Sequence, residues 1–499
     1  MKQFRVSETR GFADSVIDAP PESSFRDPEG YLSIVDGRVL RFISDSAAGD
    51  FAEFTNSPIA KRFVEQGRLV STRILAADDL AELTRFAANQ VRKAVHSHAT
   101  IAEHERIPFQ SFPYEWPSEM LFAAAELTLD LADAVLESGF GLKDASPYNV
   151  LFRGPEPVFV DLLSFERREP KDPTWLPSGQ FARTFLRPLL LSQKLGVPTD
   201  QMLFAYRDGP DAEDISPMLS FFRRFSPQVM NLVSIPAFLS RRRWSQSPTL
   251  YKKRTVSSTE QAQFVLGRLY KSLRRKLYSL RPESDQTSSW TPYVDSVDHP
   301  EGYFSTKTDL MTRIIGEIKP RRVLDVGCNT GTYSMAAARH GARVVSIDTD
   351  RAVVGRLWKK ATQEKLDILP LVIDLTRPTP GMGWLNSECA SFLSRAEGYF
   401  DCIFMLAVIH HMLVRERVPL QQILSLAARI TTRYLVIEFV GVEDPLFKRI
   451  VRGNDHLYTH LTPEYFESVA AEHFDIRESI QVGNSSRRMY VLRKKLVAA

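Results

Sequence analysis

The chain has 499 residues, of which 43% are hydrophobic and 25% charged, with a formal net charge of +4 and a mean hydropathy of −0.20. This is the composition of ordinary globular protein, about two or three domains long, and it argues against disordered or fibrous classes. No apolar run is long enough to cross a bilayer, and the opening stretch MKQFRVSETRGFADSV has no apolar signal core, so a cytoplasmic protein is expected.

The three cysteines, Cys328, Cys389 and Cys402, are widely spaced and form no CxxC pair. They read as reduced thiols rather than a disulfide or zinc framework. A net charge this small says little about partners, and no internal repeat is visible.

Residues 1–30 are polar and end in DAPPESSFRDPEG, which reads as an N-terminal arm. Tyr31–Val35 and Val39–Ile43 are β-prone runs flanking Asp36-Gly37, a strong hairpin signal. A helical region is expected up to about Gln66, a strand over Leu69–Leu75, and a helix over Leu80–Val95. Ser118–Ser138 has apolar residues at helical spacing, with Ser118 placed to cap it and Gly139 to stop it.

The stretch LKDASPYNVLFRGPEPVFVDLLSFE follows. Asp144 and Asn149 are spaced D-x-x-x-x-N, and after a hairpin Phe159-Val160-Asp161 ends a short strand. This resembles the catalytic loop and metal-binding acid of protein kinases and aminoglycoside-type phosphotransferases. The resemblance puts Asp144 at the base position and Asn149 and Asp161 at the magnesium positions. The sequence departs from it in three ways. Leu142-Lys143 replaces the usual His-Arg or His-Gly, Leu-Leu follows Asp161, and no glycine-rich loop or V-A-I-K strand precedes. Phosphoryl transfer depends on covering and neutralising the phosphates, so a degenerate kinase-like α+β domain is expected over 31–240, with a role in binding the acceptor. Turn chemistry alone also accounts for Asp-Ala-Ser-Pro.

From Arg241 to Arg281 the chain is basic, with RRRW, KKR and KSLRRK and Glu260 the only acid. Gln261–Leu280 has helical spacing. Such a helix suits RNA phosphates or an anionic membrane surface, or else a solvated or acid-packed helix joining two domains. A connector over 241–289 is expected, ending in PESDQTSS.

The second half is organised by VLDVGCNTGTYSMAAARHGARVVSIDTD, Val323–Asp350. A buried strand ends in a turn, Gly327-Cys328-Asn329-Thr330-Gly331, then a helix begins, and a second strand closes on Asp348. Gly327 and Gly331 let backbone approach a ligand. Asp348, about twenty residues on, can accept both hydroxyls of a ribose. Asp325 sits two residues before the turn, where an acid can meet an ammonium. The pattern resembles motif I of class I S-adenosylmethionine (SAM) methyltransferases, D-x-G-x-G-x-G, with Asn329 in the middle glycine's place. Asn tolerates the left-handed backbone required there.

That resemblance implies a Rossmann-like, doubly wound α/β methyltransferase domain over 290–499 with SAM as its cofactor. It assigns Asp325, Gly327, Cys328, Asn329, Gly331, Asp348, Asp374 and Leu375 to the cofactor, Asp374 meeting the adenine amino group and Leu375 its ring. Asp374 also reads simply as a cap. Strands are expected at Leu369–Ile373, Phe400–Leu406 and Tyr434–Phe439, with a closing pair at Phe474–Ser479 and Met489–Arg493. His410-His411 follow the fourth strand, where substrate meets cofactor, and a histidine there can take the acceptor's proton. His411 is the first choice, with no metal required. Trp290, Tyr293 and Tyr303 are candidate lid residues, and His456, Tyr458 and His460 lie in a loop placed to wall the substrate. A kinase-like front and methyltransferase back resemble a bacterial family related to nodulation-type methyltransferases. The expected reaction is methyl transfer to an oxygen or nitrogen, or else a carbon, of a small-molecule acceptor. The rivals are a bifunctional kinase–methyltransferase, an RNA methyltransferase, a non-catalytic SAM-binding regulator, and a nicotinamide dehydrogenase, for which the remaining chain is too short.

Overall fold

The computed structural model describes residues 27–86, 100–241, 255–282 and 302–495. Residues 1–26 of the N-terminal arm, Val95, Trp290 and Tyr293 lie outside the described residues. The chain forms two compact units, one from residues up to 55 together with 71–106, the other from 56–70 and everything after 107.

The smaller unit is built on a four-stranded antiparallel sheet, order β1-β2-β4-β3, from β1 (Gly30–Val35), β2 (Arg38–Ile43), β3 (Thr72–Ile74) and β4 (Thr100–His104). Asp36 and Gly37 both take positive φ, 50° and 79°. That is the turn whose twist matches two paired strands. Leu40, Phe42, Leu75, Leu83 and Ile101 form its core. The expected strand Leu69–Leu75 is shorter, because Leu69 instead bridges to Phe159.

In the larger unit a helix, Ser118–Ala134, buries Met120, Leu121, Ala124, Leu127, Leu131 and their neighbours. Ser118 does not cap it. Pro117 holds the cap position, and Ser118 is the first helical residue, its hydroxyl 3.2 Å from Thr199 Oγ1. Proline before a helix fixes the entry backbone, so no side-chain cap is needed. Gly139 ends the segment at φ 77°. Two small antiparallel pairs follow, β5 (Phe140–Leu142) with β8 (Phe165–Arg167) and β6 (Val150–Arg153) with β7 (Glu156–Phe159). The basic helix, Thr259–Tyr278, buries Leu266, Tyr270, Leu273 and Leu277. Its Arg274 pairs with Asp130 and Asp133.

The remaining chain builds a seven-stranded sheet, order β11-β10-β9-β12-β13-β15-β14. Its strands are β9 (Arg322–Val326), β10 (Arg343–Asp348), β11 (Ile368–Val372), β12 (Phe400–Met405), β13 (Thr431–Phe439), β14 (Phe474–Gln481) and β15 (Arg488–Lys494). The first five are parallel, and β15 and β14 close the edge antiparallel. Parallel strands covered on both faces need unbroken apolar runs, and β11 and β12 are buried throughout. This is the Rossmann-like α/β sheet expected. Strand order reverses between β9 and β12, the position where such sheets bind ligands.

The seven-stranded sheet packs directly on the preceding segment. Glu115, fully buried, pairs with Arg395, which is 6% exposed, and it also accepts from Thr379 Oγ1 at 2.5 Å. Arg395 lies over the rings of Phe109, Phe112 and Phe392. Arg351 makes a two-pronged pair with Asp200, 2.6 and 2.8 Å. Trp358 Nε1 donates to the Pro155 carbonyl at 2.9 Å. Removing one partner of a buried pair leaves a charge without compensation. Arg395→Ala is therefore expected to lower unfolding free energy by about 3–5 kcal/mol, read by urea titration. The double variant Glu115→Gln/Arg395→Met should recover part of that loss.

Candidate functional site

The turn after β9 is shaped by three left-handed residues, Gly327 (φ 68°), Asn329 (φ 48°) and Gly331 (φ 81°). A Cβ on Gly327 would stand 2.5 Å from Val408 Cγ2, and one on Gly331 would stand 2.2 Å from Leu357 Cδ1. At both positions φ disfavours a side chain, and the Val408 or Leu357 side chain would also have to shift to admit one. The Gly327 and Cys328 amides donate to the Ile347 carbonyl at 2.8 and 3.1 Å, pinning the turn to β10. Cys328 is buried and burial pushes its thiol well up, so it packs rather than reacts.

Asp348 is oriented by backbone. Asn329 N–H donates to its Oδ2 and Asp350 N–H to its Oδ1, each at 2.9 Å. Burial raises its pKa, and those amides oppose the rise. Each oxygen keeps a lone pair for a further donor, the arrangement a vicinal diol needs. Asp325, 3% exposed, accepts from Ser334 Oγ at 2.5 Å, and Ser346 Oγ donates to Ser334. Burial first, and then the Asp348 charge, push its carboxyl up to about 7. Asp374 follows β11, whose continuation meets β10 where Ile373 N–H donates to the Asp348 carbonyl. Its Oδ1 accepts from Thr376 N–H and Oγ1, 2.8 and 2.6 Å, so it does form a local cap. Leu375 beside it is buried.

The segment after β12 turns through Ala407, an L residue at φ 57°. His410 then opens a π-helical turn, His411–Arg415. The two imidazoles lie 4.2 Å apart. His410 is 1% exposed, and both ring nitrogens lack a hydrogen-bond partner among the described residues. Burial, reinforced by His411, Arg487 and Lys307, holds its pKa well below the ordinary histidine value. His411 is less buried and is pushed down to about 4, by burial and then by Arg415 and Arg487. Both rings are neutral at physiological pH.

Behind the histidines lies a cluster of buried charges. Glu438 of β13 is fully buried and accepts from Lys307 Nζ at 2.5 Å and from Tyr303 Oη. Arg487 donates to Tyr303 Oη at 3.0 Å and to Asp444 at 2.8 Å. Tyr303 is thus buried beside Glu438. Lys307 and Arg487 were not anticipated from sequence. The available signal was Lys307 itself, a lysine in line with the buried Tyr303, Met311, Ile314 and Ile318 of the helix Tyr303–Ile318. His456, Tyr458 and His460 lie in or beside the short 3-10 turn Asp455–Leu457, where Tyr458 packs on Phe447 and His460 on Tyr465.

Away from this sheet, Asp144, Asn149 and Asp161 do come together. Asn149 Nδ2 donates to the Asp144 carbonyl and to Ser164 Oγ, 3.4 and 3.3 Å, and Ser164 Oγ donates to Asp161 Oδ2 at 2.5 Å. Asp144 Oδ1 accepts from Gln180 at 2.7 Å. Among the described residues no group of three or more His, Cys, Asp or Glu is arranged to hold a metal ion.

The described residues fit SAM. The turn is a cradle that a Cβ would fill, a diol-accepting carboxylate stands at the second strand, an acid lies beside the turn, and a buried imidazole lacks a partner. Residues 324–433 match the family model described as "Methyltransferase domain". The chain is 27% identical over 495 residues to the nodulation protein NoeA of Rhizobium meliloti (strain 1021), covering 98% of this chain and 99% of that protein. It is 26% identical over 148 residues to the O-antigen chain terminator bifunctional methyltransferase/kinase WbdD of Escherichia coli, covering 30% of this chain and 19% of that protein. The solved N-methyltransferase NodS of Bradyrhizobium japonicum WM9, in complex with S-adenosyl-L-homocysteine, aligns with 16% identity over 45% of this chain and 97% of its own, TM-score 0.30.

Because Asp325 is protonated more readily folded than unfolded, its charge costs no stability at low pH. The cost appears as pH rises from its unfolded value through about 7. Asp325→Asn should therefore melt higher than the native chain without ligand. Calorimetry should show that gap widening between about pH 4 and pH 7 and levelling off above that.

Proposed function

We propose that this chain, a SAM-dependent methyltransferase, transfers the methyl group to an oxygen or nitrogen of a small-molecule acceptor. Transfer takes place at the carboxyl ends of β9 and β12. When bound, SAM supplies an electrophilic methyl group on a sulfonium. Asp325 would hold its ammonium, Asp348 its ribose hydroxyls, Asp374 and Leu375 its adenine, and Gly327, Cys328, Asn329 and Gly331 would form the bed beneath it. The observation that carries the reading is the Gly327–Val408 approach, which sets the cofactor turn against the histidine segment.

In this reading His411, less buried than His410, is the ring the acceptor reaches. Being neutral, it accepts a hydrogen bond from a hydroxyl or amine and takes the proton as the nucleophile gives up its lone pair. His410 lies deeper, toward Lys307 and Arg487, and holds the turn. His411→Ala should lower the rate of S-adenosylhomocysteine release by about 10²–10⁴-fold, assayed with a small-molecule fraction that supports release by the native chain. Its SAM dissociation constant should be unchanged. Titration calorimetry with SAM should show binding tighten as pH rises through about 7, as Asp325 ionises. Asp348→Ala should weaken binding by about tenfold or more. SAM binding that ignores both pH and Asp348 would sink the assignment.

We further infer that residues 31–240 form a repurposed kinase-like body presenting the acceptor to the domain at 290–499, with 241–289 between them. The support is that Ser164 bonds Asn149 and one oxygen of Asp161, and Gln180 one oxygen of Asp144. Incubation with ATP and magnesium should give no turnover. Turnover that disappears in Asp161→Ala would establish a bifunctional enzyme instead.

A further inference from the structure

The strongest feature outside the methyltransferase site is a surface between Met218 and Leu239. Of the eighteen large apolar side chains exposed among the described residues, eight fall in this one segment, so they form a concentration rather than scatter. Phe221, Phe222 and Phe225 are 67%, 85% and 61% exposed. Their rings cluster, Phe221 lying 5.8 Å from Phe222 and 5.1 Å from Phe225. Ser234 Oγ donates to the Arg224 carbonyl at 2.9 Å, holding this turn beside the following helical stretch. There Met230, Ile235 and Leu239 are exposed as well. The segment already has an inward face, since Leu219, Val229, Leu232, Val233 and Ala237 are buried. The exposed set is additional to the residues that pack.

The charge of this region is one-sided. From Ile215 to Thr259 there is no Asp or Glu, while Arg223, Arg224, Arg241, Arg242, Arg243, Lys252, Lys253 and Arg254 are basic. Within the patch, Arg223 Nη1 donates to the Lys194 carbonyl at 2.6 Å and Arg224 Nε to the Leu219 carbonyl at 3.1 Å. Both arginines belong to the same short turn as the phenylalanines, Phe222–Phe225. The basic helix Thr259–Tyr278 is different, because its Arg274 is already paired with Asp130 and Asp133.

We propose that the Met218–Leu239 surface docks the protein on an anionic lipid bilayer. The phenylalanines enter the interfacial layer and the arginines meet headgroup phosphates. The composition of the patch selects this occupant. A second copy would bring like charge against like charge. A nucleic acid strand would use the arginines and rings but find no stacking partner in Met218, Met230, Ile235 or Leu239, all of which hydrocarbon accepts. Among the described residues no helix is long and apolar enough to span a membrane, so the attachment is peripheral.

The test is flotation of the full chain with vesicles of phosphatidylcholine alone, or with about a quarter phosphatidylglycerol. The native chain should float with the anionic vesicles only, and about 0.5 M salt should weaken binding markedly. Phe221→Ser/Phe222→Ser/Phe225→Ser and Arg223→Glu/Arg224→Glu should each lose about tenfold or more in vesicle affinity, with SAM binding unchanged as the check on folding. A native chain that stays unbound with both vesicle types overturns the proposal. So does binding that the phenylalanine variant retains in full. A dimer, or a single-stranded RNA complex, that forms in place of vesicle binding and is lost in these variants assigns the surface to that partner and equally overturns it.

Discussion

The backbone at Gly327 runs so close to the Val408 side chain that a Cβ there would stand 2.5 Å from Val408 Cγ2. That approach is the constraint on which the site rests. β9 and β12 are neighbours whose crossovers leave in opposite directions, so a crevice opens where their carboxyl ends part. The turn after β9 forms one wall and the segment after β12 the other. The left-handed backbones of Asn329 and Ala407 lie on the two sides of this contact. Strained conformations of this kind persist only where surrounding packing over-determines them.

Burying Lys307, Glu438, Asp444 and Arg487 together is costly, and it is tolerated because each charge meets an opposite one and Tyr303 adds a hydroxyl to the set. The set ties the helix Tyr303–Ile318, the end of β13, the start of the helix Pro445–Val451 and the loop before β15 into one polar knot. It also sets the local electrostatics. Its two cations and the surrounding burial act in the same direction on His410, keeping the imidazole uncharged. A neutral ring is the form that can accept a proton, and a cationic cofactor is better tolerated beside a neutral ring than beside an imidazolium.

Much of the second half was legible because its signals are local. The period-two and unbroken apolar runs, the glycine turn and the acid about twenty residues on lie within one window of sequence. The resulting strands differ from expectation mainly at their ends, β13 beginning at Thr431 rather than Tyr434. What could not be read are pairings between residues far apart. Nothing near Glu115 indicates Arg395, and nothing near Asp144 indicates that Gln180 would hold its carboxylate. Ser118 shows the limit of local rules. It has the right chemistry for a cap, yet Pro117 displaces it by one position and frees its hydroxyl for Thr199.

The contacts between the methyltransferase sheet and the segment before it are not spread evenly. Arg351, which meets Asp200, lies three residues after Asp348. Thr379, which meets Glu115, lies five residues after Asp374. The loops leaving β10 and β11 are thus each anchored to a carboxylate outside the sheet, and these are the loops that carry the two outer carboxylates of the candidate cofactor site. Asp325 and the turn at Gly327, by contrast, are held by bonds internal to the sheet. The carboxylates at both ends of the site are held by the domain's own hydrogen bonding, and the segments just after Asp348 and Asp374 are tied in addition to the first half, by the Arg351–Asp200 ion pair and the Thr379–Glu115 hydrogen bond.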